Sequence, residues 1–214
     1  METHFRTFKE YPAEGGWSGD TCEGIEGLEW IKQDSGAWTG PLKNWRADHK
    51  EFMSQVKQFN TVVMAGGNCG MYPRFYGNYF STVITFEPCP NNFACLDKNC
   101  DGPKYRKFLG GLGNTTDKLS LKHGGSSNVG THRIGKEAGD VQMYKLDDLN
   151  LERCDLIHLD VEGYEEDVLR GAEKTIRKYK PVVITERSNG ESFLLPLGYN
   201  FHKKLQMDTV YIPV

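Results

Sequence analysis

What this chain can fold into is constrained most by its last third. Residues 155–159 (DLIHL) make a short apolar run of the kind a buried strand needs, and residues 181–185 (PVVIT) make a second, β-branched one. Between them, residues 164–179 set Val168, Leu169, Ala172 and Ile176 on one face of a helix. Parallel strands need a long crossover, which a helix supplies, so the pattern predicts a βαβ unit. A parallel sheet is buried on both faces, and the remaining sequence must supply more strands and the helices that cover them.

The upstream sequence meets that demand. Residues 47–59 carry Phe52, Val56 and Phe59 at helical spacing, 61–65 (TVVMA) and 81–86 (STVITF) read as strands, and 90–100 (PNNFACLDKNC) as a helix with Phe93 and Leu96 inward. Residues 104–109 (KYRKFL) give a third strand. The stretch 111–139 is rich in Gly, Ser, Thr and Asn and reads as an irregular insertion with at most a strand near 118–121; a weak strand follows at 141–145. A short helix over 191–195 and an antiparallel hairpin of 199–203 with 209–214 end the pattern. The expectation is an α/β fold, a mostly parallel sheet with helices on both faces, as a single domain over 1–214. Residues 1–45 form an irregular Gly/Trp-rich arm on a core of 46–214. Trp17, Trp30, Trp38 and Trp45 all lie in that arm, so it packs on the core, and the turn residues around Trp38 make it a candidate lid.

Composition narrows the function classes. With 26 basic against 29 acidic side chains the net charge is −3, without the basic footprint that holds nucleic acid. The six cysteines include no CxxC pair, which argues against a disulfide framework or a zinc site. No apolar run approaches a membrane span, and METHFRTFKE is too polar for a signal peptide, so a cytoplasmic protein without a membrane partner is expected.

Chemistry gathers at the strand ends, because ligands of open parallel sheets bind beyond the C-terminal strand edges. Gly66-Gly67-Asn68-Cys69-Gly70 follows the first parallel strand directly, at a spacing that fits neither GxGxxG nor GxxxxGK[ST]. Glu87 ends the next strand, about 20 positions on, where an acidic side chain accepts hydrogen bonds from ribose hydroxyls. Glycine turn and acidic tip together indicate an adenosine-containing cofactor other than a dinucleotide.

The motifs VVMAGGNCG, VITFEPCPNNFACL, YKLDDL and DLIHLDVEGYEEDVLRGAEKTIRKYKPVVITE, in that order over residues 61–186, resemble the FkbM family of S-adenosylmethionine-dependent methyltransferases. The resemblance implies a class I methyltransferase (Rossmann-like) fold, with a seven-stranded sheet whose last strands form the antiparallel hairpin. It implies that Ala65, Gly66, Gly67, Asn68 and Gly70 cradle the amino-acid part of S-adenosylmethionine, that Glu87 and Pro88 hold its ribose, and that Gly111 and Leu112 border its adenine. Asp160 would face the methyl group. The family often has an acidic residue where Met64 stands and alanine at Gly67, so the contact to the cofactor's amino group falls here to a water, Asp160 or a group from the Trp38 arm. The implied reaction is O-methylation of a hydroxyl on a small molecule or sugar.

Methyl transfer to oxygen needs an aligned acceptor and a group that takes its proton. Asp160 and Glu162, just past the fourth strand, are candidates, and His132 in the insertion is another. Both carboxylates also have a plain structural reading, Asp160 ordering its loop and Glu162 favouring the helix start that follows. Asp160, Glu186 and Asn189 make a hard-oxygen set suited to Mg²⁺, although Glu186 beside Arg187 is equally read as an ion pair. His123, His132 and His158 read as lone histidines, the last as a core residue. Lys174, Arg177, Lys178 and Lys180 read as a solvated helix face. Two other functions use the same residues: a ribose 2′-O-methyltransferase acting on an RNA end, with Asp160 and Glu186 as its acidic half, and a noncatalytic S-adenosylmethionine-binding module.

Overall fold

The computed structural model describes residues 5–7, 27–31, 34, 53–124, 128–187, 189–205 and 207–214. Its centre is a seven-stranded sheet. Five strands run parallel: β3 (Thr61–Ala65), β4 (Thr82–Glu87), β5 (Tyr105–Leu109), β10 (Leu156–Leu159) and β11 (Val182–Glu186). The hairpin β12 (Tyr199–Leu205) and β13 (Asp208–Pro213) adds the last two strands antiparallel against β11, giving the order β12-β13-β11-β10-β3-β4-β5. The expected class I methyltransferase architecture is therefore present, terminal hairpin included.

Both faces are packed, as a parallel sheet requires. Val62 and Met64 of β3 enter one core with Trp30, Phe75 and Tyr76; Val63 and Ala65 enter the other with Val168, Leu169, Ala172 and Ile176. This alternation is the two-residue period of the strand turned into two separate cores. The first face is covered by α1 (Met71–Tyr76) and α2 (Pro90–Asn99), the second by α3 (Glu165–Arg170), α4 (Glu173–Tyr179) and α5 (Glu191–Leu194). His158 is a core residue as expected, with Nδ1 2.7 Å from the Tyr76 hydroxyl.

The arm is partly visible. β1 (Phe5–Thr7) pairs antiparallel with β2 (Glu29–Ile31), and Trp30 is buried, as expected of an arm packed on the core. Asn99 of α2 holds the strand: its Oδ1 accepts the Glu29 N–H at 2.7 Å, and its Nδ2 donates to the Glu29 carbonyl at 2.7 Å and the Cys69 carbonyl at 2.6 Å. Trp17, Trp38 and Trp45 lie outside the described residues, and with them the candidate lid.

Three sequence expectations change. The helix over 47–59 does not reach its expected end: residues 47–52 lie outside the described residues, and the chain has left helical conformation by Gln55, with Val56 buried and Phe59 exposed. The insertion is not irregular, because β6 (Gly111–Leu112), β7 (Lys118–Lys122), β8 (Arg133–Ala138) and β9 (Val141–Tyr144) form a second sheet in the order β6-β9-β7-β8. Strand β8 (RIGKEA) buries only Gly135, so it has no apolar face that a two-residue period would reveal. The helix expected over 164–179 is two helices, because Gly171 packs on the backbone of the 113–114 turn and a Cβ there would lie 1.9 Å from the Gly113 carbonyl oxygen. The second helix gains a cap from outside its own sequence, since Asp147 Oδ2 accepts the Lys174 N–H at 3.0 Å and Oδ1 the Thr175 N–H at 2.8 Å.

Gly171→Ala is therefore expected to lower stability by about 1–3 kcal/mol, the typical cost of overpacking. A shift of the urea midpoint checks it; an unchanged midpoint would mean that the two helices do not depend on this close approach.

Candidate functional site

Three strand ends are tied together by their own backbone. The Gly66 and Gly67 N–H groups both donate to the Phe86 carbonyl, at 3.0 and 2.9 Å, and the Asp160 N–H donates to the Ala65 carbonyl at 3.0 Å. Gly66 turns at φ 84°, and a Cβ there would lie 1.7 Å from the Asp160 carbonyl oxygen, so no larger residue fits between β3 and β10. Asn68, itself left-handed at φ 48°, donates its N–H to Glu87 Oε2 at 2.8 Å, and the Cys89 N–H donates to Oε1 at 2.8 Å. Each carboxylate oxygen of Glu87 thus takes one backbone donor, and a carboxylate oxygen can accept more than one. Burial pushes the Glu87 carboxyl up to about 7, against the opposing hydrogen bonds from Cys89 and Asn68.

These strand ends border a cavity of about 570 Å³, within the range of small-molecule sites. Ala65, Gly66, Gly67, Asn68, Glu87, Pro88, Gly111, Leu112 and Asp160 all line it, as do Glu162, His132 and Glu186. Gly70 does not: it turns the chain into α1 at φ 93° with its N–H on the Gly67 carbonyl, so its role is to shape the loop. Met64 does not either, being buried among Trp30 and Tyr76. Sequence reasoning missed Asp34, Tyr72, Asn92, Val129, Tyr164 and Asp208 as wall residues. Asp34 is 1% exposed and accepts the Trp30 indole N–H at 2.8 Å, so the arm brings a carboxylate into the cavity wall. Asn92 donates to the Val129 carbonyl at 2.8 Å and fixes the insertion loop over the cavity. Asp208 faces Glu186 in the β11–β13 register, a placement legible only once the hairpin is laid against the preceding strand.

The cavity wall is acidic. Asp34, Glu87, Asp160, Glu162, Glu186 and Asp208 line it, and among the described residues no Lys or Arg does. Burial, then the charges of Asp208, Glu186, Glu162 and Glu165, push Asp160 well above the usual carboxylate range. Burial and the neighbouring Glu162 likewise push Glu186 up, against the lowering effect of Arg187. Asp160, Glu162 and Glu186 bring one oxygen each within 4.8 Å of one another. The Asn189 amide nitrogen donates to Glu165 Oε2 at 2.9 Å, and Glu162 joins Asp160 and Glu186 as a third carboxylate. Glu162 reaches that position from φ 54°, a left-handed conformation uncommon outside glycine and one that gathers at functional sites.

The histidines of the insertion are not lone residues. His123 and His132 pack edge to face with ring centroids 5.0 Å apart, and both have a ring nitrogen within 4.8 Å of the Cys89 sulfur. His132 Nδ1 accepts the Gly124 N–H at 3.0 Å, and burial and His123 lower its pKa. Its neutral ring then carries the proton on Nε2, which makes it a hydrogen-bond donor; the lone pair a base needs is engaged. Burial pushes the Cys89 thiol up, away from the thiolate a soft metal requires. The five described cysteines are free, as the spacing indicated. Lys174, Arg177, Lys178 and Lys180 are exposed, also as expected, and no helix among the described residues is long and apolar enough to cross a membrane.

Known proteins are similar to this chain. The Methyltransferase FkbM domain matches residues 68–205. Methyltransferase 1 from Beauveria bassiana (strain ARSEF 2860) is 30% identical over 142 residues, 51% of this chain and 57% of that protein. A crystal structure of methyltransferase FkbM from Methylobacillus flagellatus KT aligns with a TM-score of 0.50 at 17% identity, covering 72% of this chain and 43% of that one. An rRNA methylase from Streptococcus thermophilus aligns with a TM-score of 0.47 at 10% identity, over 78% of this chain and 95% of that one. The chain thus spans about half the length of the first two relatives. With well over half of its residues inside the domain match, and with the sheet, the glycine turn and the Asp160 turn in place, this chain belongs to the FkbM methyltransferase domain family.

Proposed function

We propose that the chain is an S-adenosylmethionine-dependent methyltransferase that transfers a methyl group to a hydroxyl of a small molecule or sugar. The observation that carries the reading is the sign of the cavity: six carboxylates and, among the described residues, no lysine or arginine, around a glycine turn at the strand ends. Such a wall suits a ligand with a sulfonium and an ammonium, and it repels a polyanion. S-adenosylmethionine, when bound, supplies a methyl group on a positively charged sulfur. Gly66 and Gly67 leave the backbone open to it, Glu87 accepts the two ribose hydroxyls with its remaining lone pairs, and Gly111 and Leu112 flank the adenine. Asp34 takes the ammonium contact that Met64 does not offer. Asp160 orients the acceptor hydroxyl and takes its proton, a role that a carboxylate with a raised pKa serves well.

The same sign of charge disfavours an RNA end as acceptor. Lys174 and Lys178 sit exposed on α4 and are absent from the cavity wall. The departure at Met64 falls on a core side chain outside the cavity.

Calorimetric titration with S-adenosylhomocysteine tests the reading. Saturable binding is expected, weakened roughly tenfold to a hundredfold in Glu87→Ala, the usual loss for a charged hydrogen bond; a wild type that binds nothing contradicts it. The pH dependence follows from Glu87. Its carboxyl is protonated below about 7 in the free protein, and ribose hydroxyls prefer the ionised form. Affinity should therefore fall about tenfold per pH unit below 7 and level off above it, with the slope absent in Glu87→Gln. A slope of the opposite sign would exclude Glu87 as the ribose partner. Asp160→Asn should retain cofactor affinity and lose turnover by about 10²-fold or more, as expected for a general base; full turnover in that variant would remove Asp160 from the chemistry.

A further inference from the structure

We propose that Asp160, Glu162 and Glu186 form a binding site for a divalent cation of the Mg²⁺/Mn²⁺ class in the cavity wall. Three carboxylate oxygens within 4.8 Å of one another are a hard-ligand set of the size such ions take, with water or an acceptor oxygen completing the shell. A cluster of acids alone would carry little weight. The independent observation is Glu186: the residue is 7% exposed, lines the cavity, and its Oε2 is buried without a hydrogen-bond partner. A buried carboxylate oxygen left without a donor is unfavourable, and a bound cation removes that cost.

The neighbouring arginines do not serve in its place. Arg133 reaches Glu162 and Arg187 reaches Glu186 Oε1, each at 3.5 Å and each with more than half of its side chain in solvent. Solvent-exposed contacts of that kind contribute little and leave Oε2 untouched. Glu165 is occupied by the Gly163 N–H and the Asn189 amide. The set includes Asp160, where the proposed reaction takes place, so the cation would hold the acceptor's oxygen there. Vicinal hydroxyls, as on a sugar, suit such an ion better than an isolated one, because they offer two oxygens. This role rests on the methyltransferase reading, whereas the site itself does not.

Mn²⁺ titration of the full chain without cofactor, followed by loss of the free-ion electron paramagnetic resonance signal, separates the two. One Mn²⁺ per chain is expected, displaced by excess Mg²⁺, with affinity reduced about tenfold or more in Glu186→Gln and in Glu162→Gln. Glu173→Gln, in an exposed pair on α4, should bind as wild type does. Circular dichroism of each variant guards against loss of fold, and two variants keep the test valid if one fails it. No saturable Mn²⁺ binding by wild type, or equal binding by both cluster variants, overturns the proposal. Mn²⁺ binding without S-adenosylhomocysteine binding would keep the site and sink the methyltransferase reading; the converse would do the opposite.

Discussion

Everything at this site depends on how closely the ends of β3, β4 and β10 are held. The hydrogen bonds from Gly66 and Gly67 to Phe86, and from Asp160 to Ala65, join three chain segments that are far apart in sequence. They close only because the residue between β3 and β10 has no side chain. Glu87 then ties the glycine turn to the start of α2 through two backbone donors. The cavity is therefore walled by backbone held in hydrogen bonds, a rigid frame that fixes its functional side chains before any ligand arrives.

Onto that frame the flanking segments add the charge. The arm brings Asp34, the hairpin brings Asp208, and the turn after β10 brings Asp160 and Glu162. Burial first, and then the repulsion among so many carboxylates, pushes Asp160 and Glu186 above the usual carboxylate range. Acidic groups placed together against their own repulsion are a common signature of a site adapted to cations. The sulfonium cofactor and the proposed metal both answer to that same feature of one cavity wall.

Much of this was legible in the sequence. Short β-branched runs ending in glycine or acid marked β3, β4, β10 and β11, and their ends supplied nine of the expected cavity-lining residues because strand ends are where this topology opens. What the sequence concealed had physical reasons. Gly171 breaks a helix through a contact with the distant Gly113, and Asp147 caps the next one from 27 residues away. Strand β8 has solvent on most of its surface and so carries no apolar period. Asp34 reaches the site only through the clamp of Asn99 on β2 and the bond to Trp30, neither of which spacing can announce. Glu165, which reads as part of an ordinary acidic helix start, is buried and accepts the Asn189 amide N–H, a long-range pairing that spacing does not announce.

The most direct test of the central claim is a crystal structure of the chain with S-adenosylhomocysteine. The account predicts the ribose hydroxyls on Glu87, the adenine beside Gly111 and Leu112, and the sulfur facing Asp160. A nucleoside bound elsewhere, or one whose ribose makes no contact with Glu87, would contradict it.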